Sequence, residues 1–402
     1  MNNKYKPFLI HGGLFLVTLV TTTIAGAEWT YGKSWLESGL SWEETLEGLK
    51  FSLPFLLIFT FHEFGHYFTA MKNNIKASLP YFIPLPPMMP FIGTLGAVIR
   101  LRQKVNSAKE NFDIGIAGPL AGFVIAMMVL VYGYTHLPPK EYVFNIHPEY
   151  QYFGDEYAEW VYDSDTIVTK SMLSGILADT TLAMMPDTVI NPGYYGPYLK
   201  INKSMMISFF EQYIVPQGDK DRIPNAYEMA HYPYLFAGFL ALFFTALNLL
   251  PIGQLDGGHV VYGLFGRKGH SIIASVSYVL LLFYAGLGLI TLKMPVEDLI
   301  IYIPLYIAYL FYCLKGMKIN TKDRLMYATL LFTIQFLISW QFPTVEGFTG
   351  WLVFALLIGR MIGVHHPPSD IEKPLDTTRV LLGWLSLLIL ILCFSPSPLT
   401  VG

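Results

Sequence analysis

Two histidines and a glutamate lie near the end of a long apolar run, FSLPFLLIFTFHEFGHYFTA, at residues 51–70. His62 and His66 are four residues apart, so on a helix both imidazoles lie on one face, ~5.4 Å apart along the axis. Two imidazoles at that spacing can share one metal ion, and Glu63 can reach a water molecule on the metal without being a ligand. Zinc suits imidazole ligands and lowers the pKa of bound water to about 7. The pattern therefore predicts a zinc site with Glu63 as the general base of a hydrolytic reaction.

The composition of the chain indicates that this site lies inside a membrane. Of the 402 residues, 53% are hydrophobic and only 14% are charged, and the mean hydropathy is +0.45. Ionisable groups in an apolar span are rare unless they are functional. This context favours the metal site over two alternatives, a pair of surface histidines beside a solvated acid and a polar contact between two helices. The net charge of −3 and the absence of a basic cluster give no indication of nucleic-acid binding, and the two cysteines lie in apolar runs that predict no disulfide framework.

Apolar stretches of about 18 or more residues recur along the chain, and each is long enough to cross a bilayer. The sequence predicts about nine spans, at residues 8–25, 51–71, 113–135, 234–255, 271–292, 299–316, 325–341, 350–364 and 379–396. The first of these has a second interpretation. Lys4 and Lys6, an apolar core and the AGA at residues 25–27 also resemble a cleaved secretory signal.

The distribution of lysine and arginine predicts the direction of the spans. Residues 72–112 contain six basic residues and one acid, whereas residues 26–50 contain two basic residues and five acids. We therefore expect residues 72–112 to be cytoplasmic, the N-terminus to be cytoplasmic and the C-terminus to be extracytoplasmic. The polar, turn-rich residues 136–233, with thirteen acids and six basic residues, then form a soluble extracytoplasmic insertion.

Two histidines leave a zinc site short of one protein ligand, and Asp256 is the best candidate for it. It lies in NLLPIGQLDGGHV, residues 248–260, and is the only acid between Glu228 and Glu297. Pro251 and Gly253 should interrupt the helix, and freed backbone groups at membrane depth need a polar cavity. The alternative is that Asp256 caps a helix at the membrane interface.

Together, HEFGH and NLLPIGQLDGG resemble the two signatures of the site-2 protease family of intramembrane zinc metalloproteases. The resemblance covers residues 51–262, interrupted by the insertion. It implies one zinc ion per chain, with His62, His66 and Asp256 as ligands and Glu63 as the catalytic glutamate. It also implies that Asn248 helps to hold the substrate strand or the developing oxyanion, although Asn248 could instead satisfy freed backbone near Pro251.

Two weaker features agree with this resemblance. GTLGAVIRLR, residues 93–102, is predicted to be a β segment too short to span, bounded by Gly93 and Gly96. Family members carry a membrane-dipping hairpin that pairs with an extended substrate, so both glycines are candidate substrate-binding residues; the alternative is an ordinary cytoplasmic loop. GIAGPLAG, residues 115–122, supplies small residues for close packing beside the catalytic helix. His259 is interpreted as an interfacial histidine and HHPPSD, residues 365–370, as a cytoplasmic loop.

The expected protein is all-α and polytopic, with about nine transmembrane helices, a short membrane-associated β-hairpin and a soluble extracytoplasmic insertion. Its expected parts are residues 1–50, 51–135, 136–233, 234–270 and 271–402, of which the second and fourth form the catalytic core. The expected reaction is the hydrolysis of a peptide bond in a transmembrane segment of a membrane protein, in a cell membrane of the bacterial inner-membrane kind. The alternatives are a non-proteolytic zinc-binding scaffold and a metal or ion transporter.

Overall fold

A computed structural model of the protein describes residues 6–36, 39–162 and 199–401. Lys4 of the alternative signal sequence and residues 163–198 of the predicted insertion lie outside the described residues. The described part is mostly helical. Its α-helices are α1 (Lys6–Tyr31), α2 (Trp42–Glu47), α3 (Leu49–Lys72), α4 (Ala108–Thr135), α5 (Tyr142–Ile146), α6 (Tyr157–Tyr162), α7 (Met205–Phe209), α8 (Pro233–Leu249), α9 (Asp256–Ala285), α10 (Val296–Cys313), α11 (Thr321–Gln341), α12 (Gly350–Leu357) and α13 (Thr377–Cys393).

The described strands form two antiparallel pairs, β1 (Tyr81–Pro84) with β2 (Thr94–Val98), and β3 (Leu199–Ile201) with β4 (Leu399–Val401). The predicted β segment within residues 93–102 is thus present as β2. In its register Tyr81 opposes Val98 and Phe82 opposes Ala97. Phe82 and Ala97 are buried against Leu56 of α3, so the hairpin packs onto the helix that carries both histidines.

Four helices in the described part are long and apolar enough to cross a membrane, namely Phe8–Tyr31, Ala108–Thr135, Asp256–Ala285 and Val296–Met317. Large apolar side chains on their outward faces are exposed, as at Leu16, Ile272 and Leu305, which is the arrangement expected of residues that face lipid. The protein is therefore a membrane protein with several candidate spans. Each of the nine predicted spans overlaps a helix, although length and composition single out only these four.

The helix boundaries differ from the sequence expectation around the LDGG motif. The predicted span 234–255 ends earlier, because α8 stops at Leu249 and α9 begins at Asp256. Between them Pro251 has no N–H to continue a helix, and Gly253 has a φ of 59°. Residues 256–270, predicted to be a connection, are helical and bend at Gly266, where φ is 66°. Arg267 and Lys268 were expected to mark a short basic connection between two spans. They lie within α9, because basic residues are compatible with a helix.

Helix α4 occupies the centre of the catalytic half, where it packs against α3, α8 and α9. Phe51 and Phe55 of α3, Leu130 of α4 and Phe236 of α8 belong to one buried apolar cluster. A second buried cluster joins α9 to the helices that follow it. Because α3 and α9 both pack on α4, the two signature motifs are held against the same helix.

Candidate metal centre

The side chains of His62, His66 and Asp256 converge in the structure. The two Nε2 atoms are 3.0 Å apart, and each is 3.4 Å from Oδ2 of Asp256. Both histidines are buried, each with 7% of its surface exposed. The i,i+4 spacing on α3 accounts for the histidine pair, and the helix break before α9 brings the aspartate to it.

The spacing of these three atoms fits a zinc ion. Zinc–nitrogen and zinc–oxygen bonds of ~2.0–2.1 Å with tetrahedral angles separate the ligand atoms by about 3.3 Å. The observed separations of 3.0 to 3.4 Å are close to that value. Two imidazoles and one carboxylate are also a donor set found at catalytic zinc sites, which keep a fourth position open.

A backbone carbonyl orients one of the two imidazoles. Nδ1 of His66 lies 2.7 Å from the carbonyl oxygen of Ile114 on α4. Because a carbonyl only accepts hydrogen bonds, Nδ1 must carry a proton, and in the neutral imidazole the lone pair of Nε2 is then available to a metal ion. Partners of this kind set the tautomer and the ring orientation of metal-binding histidines.

The glycines of GIAGPLAG allow α4 to approach the imidazoles. A β-carbon at Gly118 would lie 2.1 Å from Nε2 of His66, and one at Gly122 would lie 3.1 Å from Cβ of His62. The His66 imidazole therefore requires glycine at residue 118, and the contact of His62 with residue 122 is tight. The sequence predicted close packing here, and the structure identifies the imidazoles as the groups that need it.

Glycines also position Asp256. A β-carbon at Gly257 would lie 1.8 Å from the carbonyl oxygen of Leu249, and one at Gly258 would lie 2.3 Å from that of Gly253. The first turn of α9 is therefore pressed against the broken segment that precedes it. The N–H of Gly253 donates to the carbonyl oxygen of Val364 at 2.9 Å, so one backbone group freed by the break has a partner in the tertiary structure.

Glu63 lies beside the histidines and contacts the extension of β2. Glu63 is 6% exposed, and its carboxylate lies close to the backbone N–H of Ile99. Sequence reasoning did not identify Ile99, since a backbone donor has no sequence signal of its own. The contact joins the candidate base to the strand that was expected to hold substrate.

A cavity of about 340 Å³ opens onto these residues. Asn248 lies in its wall, together with Glu63, Asp256 and residues 97–99. The position of Asn248 is compatible with either of its predicted roles. The cavity thus combines the candidate metal ligands, a candidate base and one side of a strand.

Gly93 and Gly96 are not among the residues that line this cavity. Their φ angles are 78° and 99°, which favour glycine. A β-carbon at Gly93 would also lie 2.4 Å from the carbonyl oxygen of Thr21 on α1. Backbone geometry accounts for both glycines, and their predicted role in substrate binding stays a prediction.

His259 and His366, which were interpreted separately from the sequence, are in contact in the structure. His366, from HHPPSD, donates from Nδ1 to the carbonyl oxygen of Pro367, and its Nε2 lies 2.8 Å from Nδ1 of His259. His366 also stacks on Tyr262. Burial lowers the pKa of His366, so its imidazole is neutral at pH 7 and accepts from His259. His259 therefore has a hydrogen-bond partner in the protein, and it also lines the cavity.

Comparisons with known proteins agree with the geometry. The sequence profile of peptidase family M50 matches residues 50–291. The probable zinc metalloprotease EGY1, chloroplastic, of Oryza sativa subsp. japonica is 27% identical over 235 residues, covering 58% of this chain and 30% of that protein. The protein of the same name from Arabidopsis thaliana is 25% identical over 225 residues, covering 56% of this chain and 31% of its own.

A third relative is the probable zinc metallopeptidase EGY3, chloroplastic, of Arabidopsis thaliana, which is 30% identical over 129 residues, or 30% of this chain and 22% of that protein. The chain spans about a third of the length of the curated relatives it matches. No solved structure matches it significantly. The family match covers more than half of the chain and contains both signature motifs, and the chain therefore belongs to peptidase family M50.

Proposed function

We propose that this protein is an intramembrane zinc metalloprotease that hydrolyses peptide bonds in transmembrane segments of membrane proteins. The observation that carries the proposal is the meeting of His62, His66 and Asp256 within 3.4 Å of one another, beside Glu63 and at a cavity. Relatives named as zinc metalloproteases support the class of reaction.

In this proposal His62, His66 and Asp256 would hold a zinc ion, which would lower the pKa of a bound water and polarise the substrate carbonyl. Glu63 takes the proton of the attacking water and later passes it to the leaving amine. The backbone N–H of Ile99 lies beside the Glu63 carboxylate, and it is proposed to keep that carboxylate in place for both transfers. Burial of the centre between α3, α4 and α9 limits the access of bulk water.

The substrate is proposed to bind as an extended strand along β2. A protease needs an extended backbone at the scissile bond, and a strand edge supplies main-chain hydrogen bonds to it. Residues 97–99 border the cavity, which places main-chain groups beside the centre. The Asn248 side chain lies in the same wall and is proposed to hold the substrate strand or the oxyanion.

We further propose nine spans, a cytoplasmic N-terminus, an extracytoplasmic insertion at residues 136–233 and a bacterial inner-membrane location. Pairing of β3 with β4 supports this orientation, because it brings the C-terminal residues together with part of the insertion. Both are proposed to be extracytoplasmic. The hydrogen bond from Gly253 to Val364 also supports this orientation. It joins two segments that are both proposed to lie at the cytoplasmic face. The word chloroplastic in the relatives' names refers to the location of those proteins and is not carried over to this one.

A paired measurement on Glu63→Gln tests the function. Glutamine keeps the shape of the side chain, so about one zinc ion should stay bound at the catalytic centre. Glutamine cannot take a proton at neutral pH, so it cannot act as the base. Cleavage of a membrane-spanning peptide in detergent should fall roughly 10²- to 10⁴-fold. Glu43→Gln, a matched change at an exposed glutamate of α2, should preserve both values.

Two outcomes would contradict the proposal. Undiminished cleavage by Glu63→Gln with zinc bound would remove Glu63 from the mechanism. Failure of the unaltered protein to cleave any of several membrane-spanning peptides, with zinc bound, would favour a scaffold or a transporter.

A further inference from the structure

A second group of potential metal ligands lies away from the candidate catalytic centre. It comprises His147, which follows α5, and Glu228 and His231, which precede α8. One potential ligand atom from each residue lies within 4.8 Å of the others. His147 and His231 are 84 residues apart in the chain, so the group is formed by the tertiary structure.

The geometry of this group parallels that of His62, His66 and Asp256. Nε2 of His147 lies 3.2 Å from Nε2 of His231, and Oε2 of Glu228 lies 3.5 Å from the latter. The corresponding separations at the catalytic centre are 3.0 and 3.4 Å. Two of the three separations are thus close to those at the catalytic centre, and the third lies within 4.8 Å.

The orientation of His231 also matches that of a metal-binding histidine. Its Nδ1 lies 2.8 Å from the carbonyl oxygen of Thr30 near the end of α1, so Nδ1 carries the proton and Nε2 presents its lone pair to the group. This is the relationship that His66 has with Ile114. A backbone carbonyl thus fixes the tautomer of one histidine in each group.

The carboxylate of Glu228 is oriented and fully buried. Its Oε1 accepts a short hydrogen bond from the hydroxyl of Tyr162, while Oε2 faces His231. Glu228 has 0% of its surface exposed. Buried carboxylates in proteins are commonly paired or bind metals, and the burial of Glu228 is compatible with a divalent ion between Oε2 and the two imidazoles.

We propose that His147, His231 and Glu228 bind a second divalent transition-metal ion of the zinc class, separate from the catalytic centre. Imidazole-rich sites select zinc and its neighbours over magnesium and calcium. Three protein ligands leave one position for water. The ion would bridge the segment after α4 and the segment before α8, and through His231 and Thr30 it would tie both to the end of α1. Its role would be to hold the described start and end of residues 136–233 against the helix ends.

The test counts zinc ions in the full chain purified in detergent. Metal is stripped with a chelator, zinc is restored, and bound zinc is measured per chain. The unaltered protein should bind two ions, and His62→Ala combined with His66→Ala should still bind one. His147→Ala combined with His231→Ala should also bind one, and the variant with all four changes should bind none.

A matched control and a spectroscopic measurement sharpen the test. His136→Ala changes a nearby histidine that stacks on Tyr132 outside the group, and it should leave the count at two. Cobalt(II) loaded into the variant with His62→Ala and His66→Ala should give visible absorption bands that His147→Ala with His231→Ala removes.

Binding of only one ion by the unaltered protein, with none left in His62→Ala combined with His66→Ala, would overturn the proposal. The histidine pair would then be joined by a hydrogen bond alone. This result is read on proteins with intact His147 and His231, so it does not depend on the folding of a variant in the second group. It is also independent of cleavage, so failure of the proposed protease function would be seen separately.

Discussion

The backbone of Gly118 lies directly against the imidazole of His66, such that a β-carbon at this glycine would be 2.1 Å from Nε2. Non-bonded heavy atoms do not approach that closely, so any side chain at residue 118 would displace α4 or the imidazole. The backbone of α4 is therefore one wall of the metal centre, and the same helix orients His66 through the carbonyl of Ile114.

Gly118→Ala should weaken zinc binding at the catalytic centre. Overpacking of a dense site costs about 1–3 kcal/mol, which corresponds to a loss of affinity of roughly 5- to 150-fold. Zinc affinity measured by competition with a chelator checks this. Gly122→Ala, whose β-carbon would lie 3.1 Å from Cβ of His62, should have a smaller effect, and Gly12→Ala, with nothing within 4 Å, should have none. Equal affinities for all three variants would contradict the proposed wall.

Asp256→Asn should lower zinc affinity at the catalytic centre by at least about 100-fold, since even the loss of a group that supports a ligand costs 10- to 100-fold. The amide keeps the size of the side chain and removes its charge. Asp370→Asn is the matched control, because Asp370 pairs with Lys104 at the surface. The measurement is zinc bound per chain at limiting zinc, in a background with His147→Ala and His231→Ala. Unchanged occupancy in Asp256→Asn would exclude this residue as a ligand.

Ile99→Pro should reduce cleavage while zinc remains bound. Proline removes the backbone N–H that is proposed to donate to the Glu63 carboxylate, and a hydrogen bond to a charged group contributes about 1.5–3 kcal/mol. The expected loss in kcat is therefore roughly 10- to 100-fold. Ile99→Ala keeps the N–H and should retain most of the activity. If both variants lose activity equally, the side chain rather than the backbone donor is responsible.

Cysteine labelling should distinguish the two faces of the membrane. Gln217 and Gln103 are exposed, whereas the native Cys313 and Cys393 are buried. In intact cells, an impermeant thiol reagent should label the Gln217→Cys variant and leave the Gln103→Cys variant unlabelled until the membrane is permeabilised. The opposite pattern would invert the proposed orientation.

Local sequence spacing determined the features that depend on a single helix. The i,i+4 separation of His62 and His66 is sufficient to put both imidazoles on one face of α3, because helical geometry depends only on local backbone angles. Long apolar runs likewise predicted where helices occur. Pro251 and Gly253 predicted a helix break, although the resumption of the helix at Asp256 was missed.

Tertiary structure decided which distant groups meet. Asp256 was linked to the histidines by resemblance and by the broken helix, and its 3.4 Å approach to both depends on the packing of α3 and α9 against α4. The contacts between Glu63 and Ile99 and between His259 and His366 have no counterpart in local periodicity. The pairing of His147 with His231 likewise required the segments after α4 and before α8 to fold together. Spacing along a helix follows from the chain alone, whereas contacts between helices depend on how whole faces pack, and that is a property of the assembled fold.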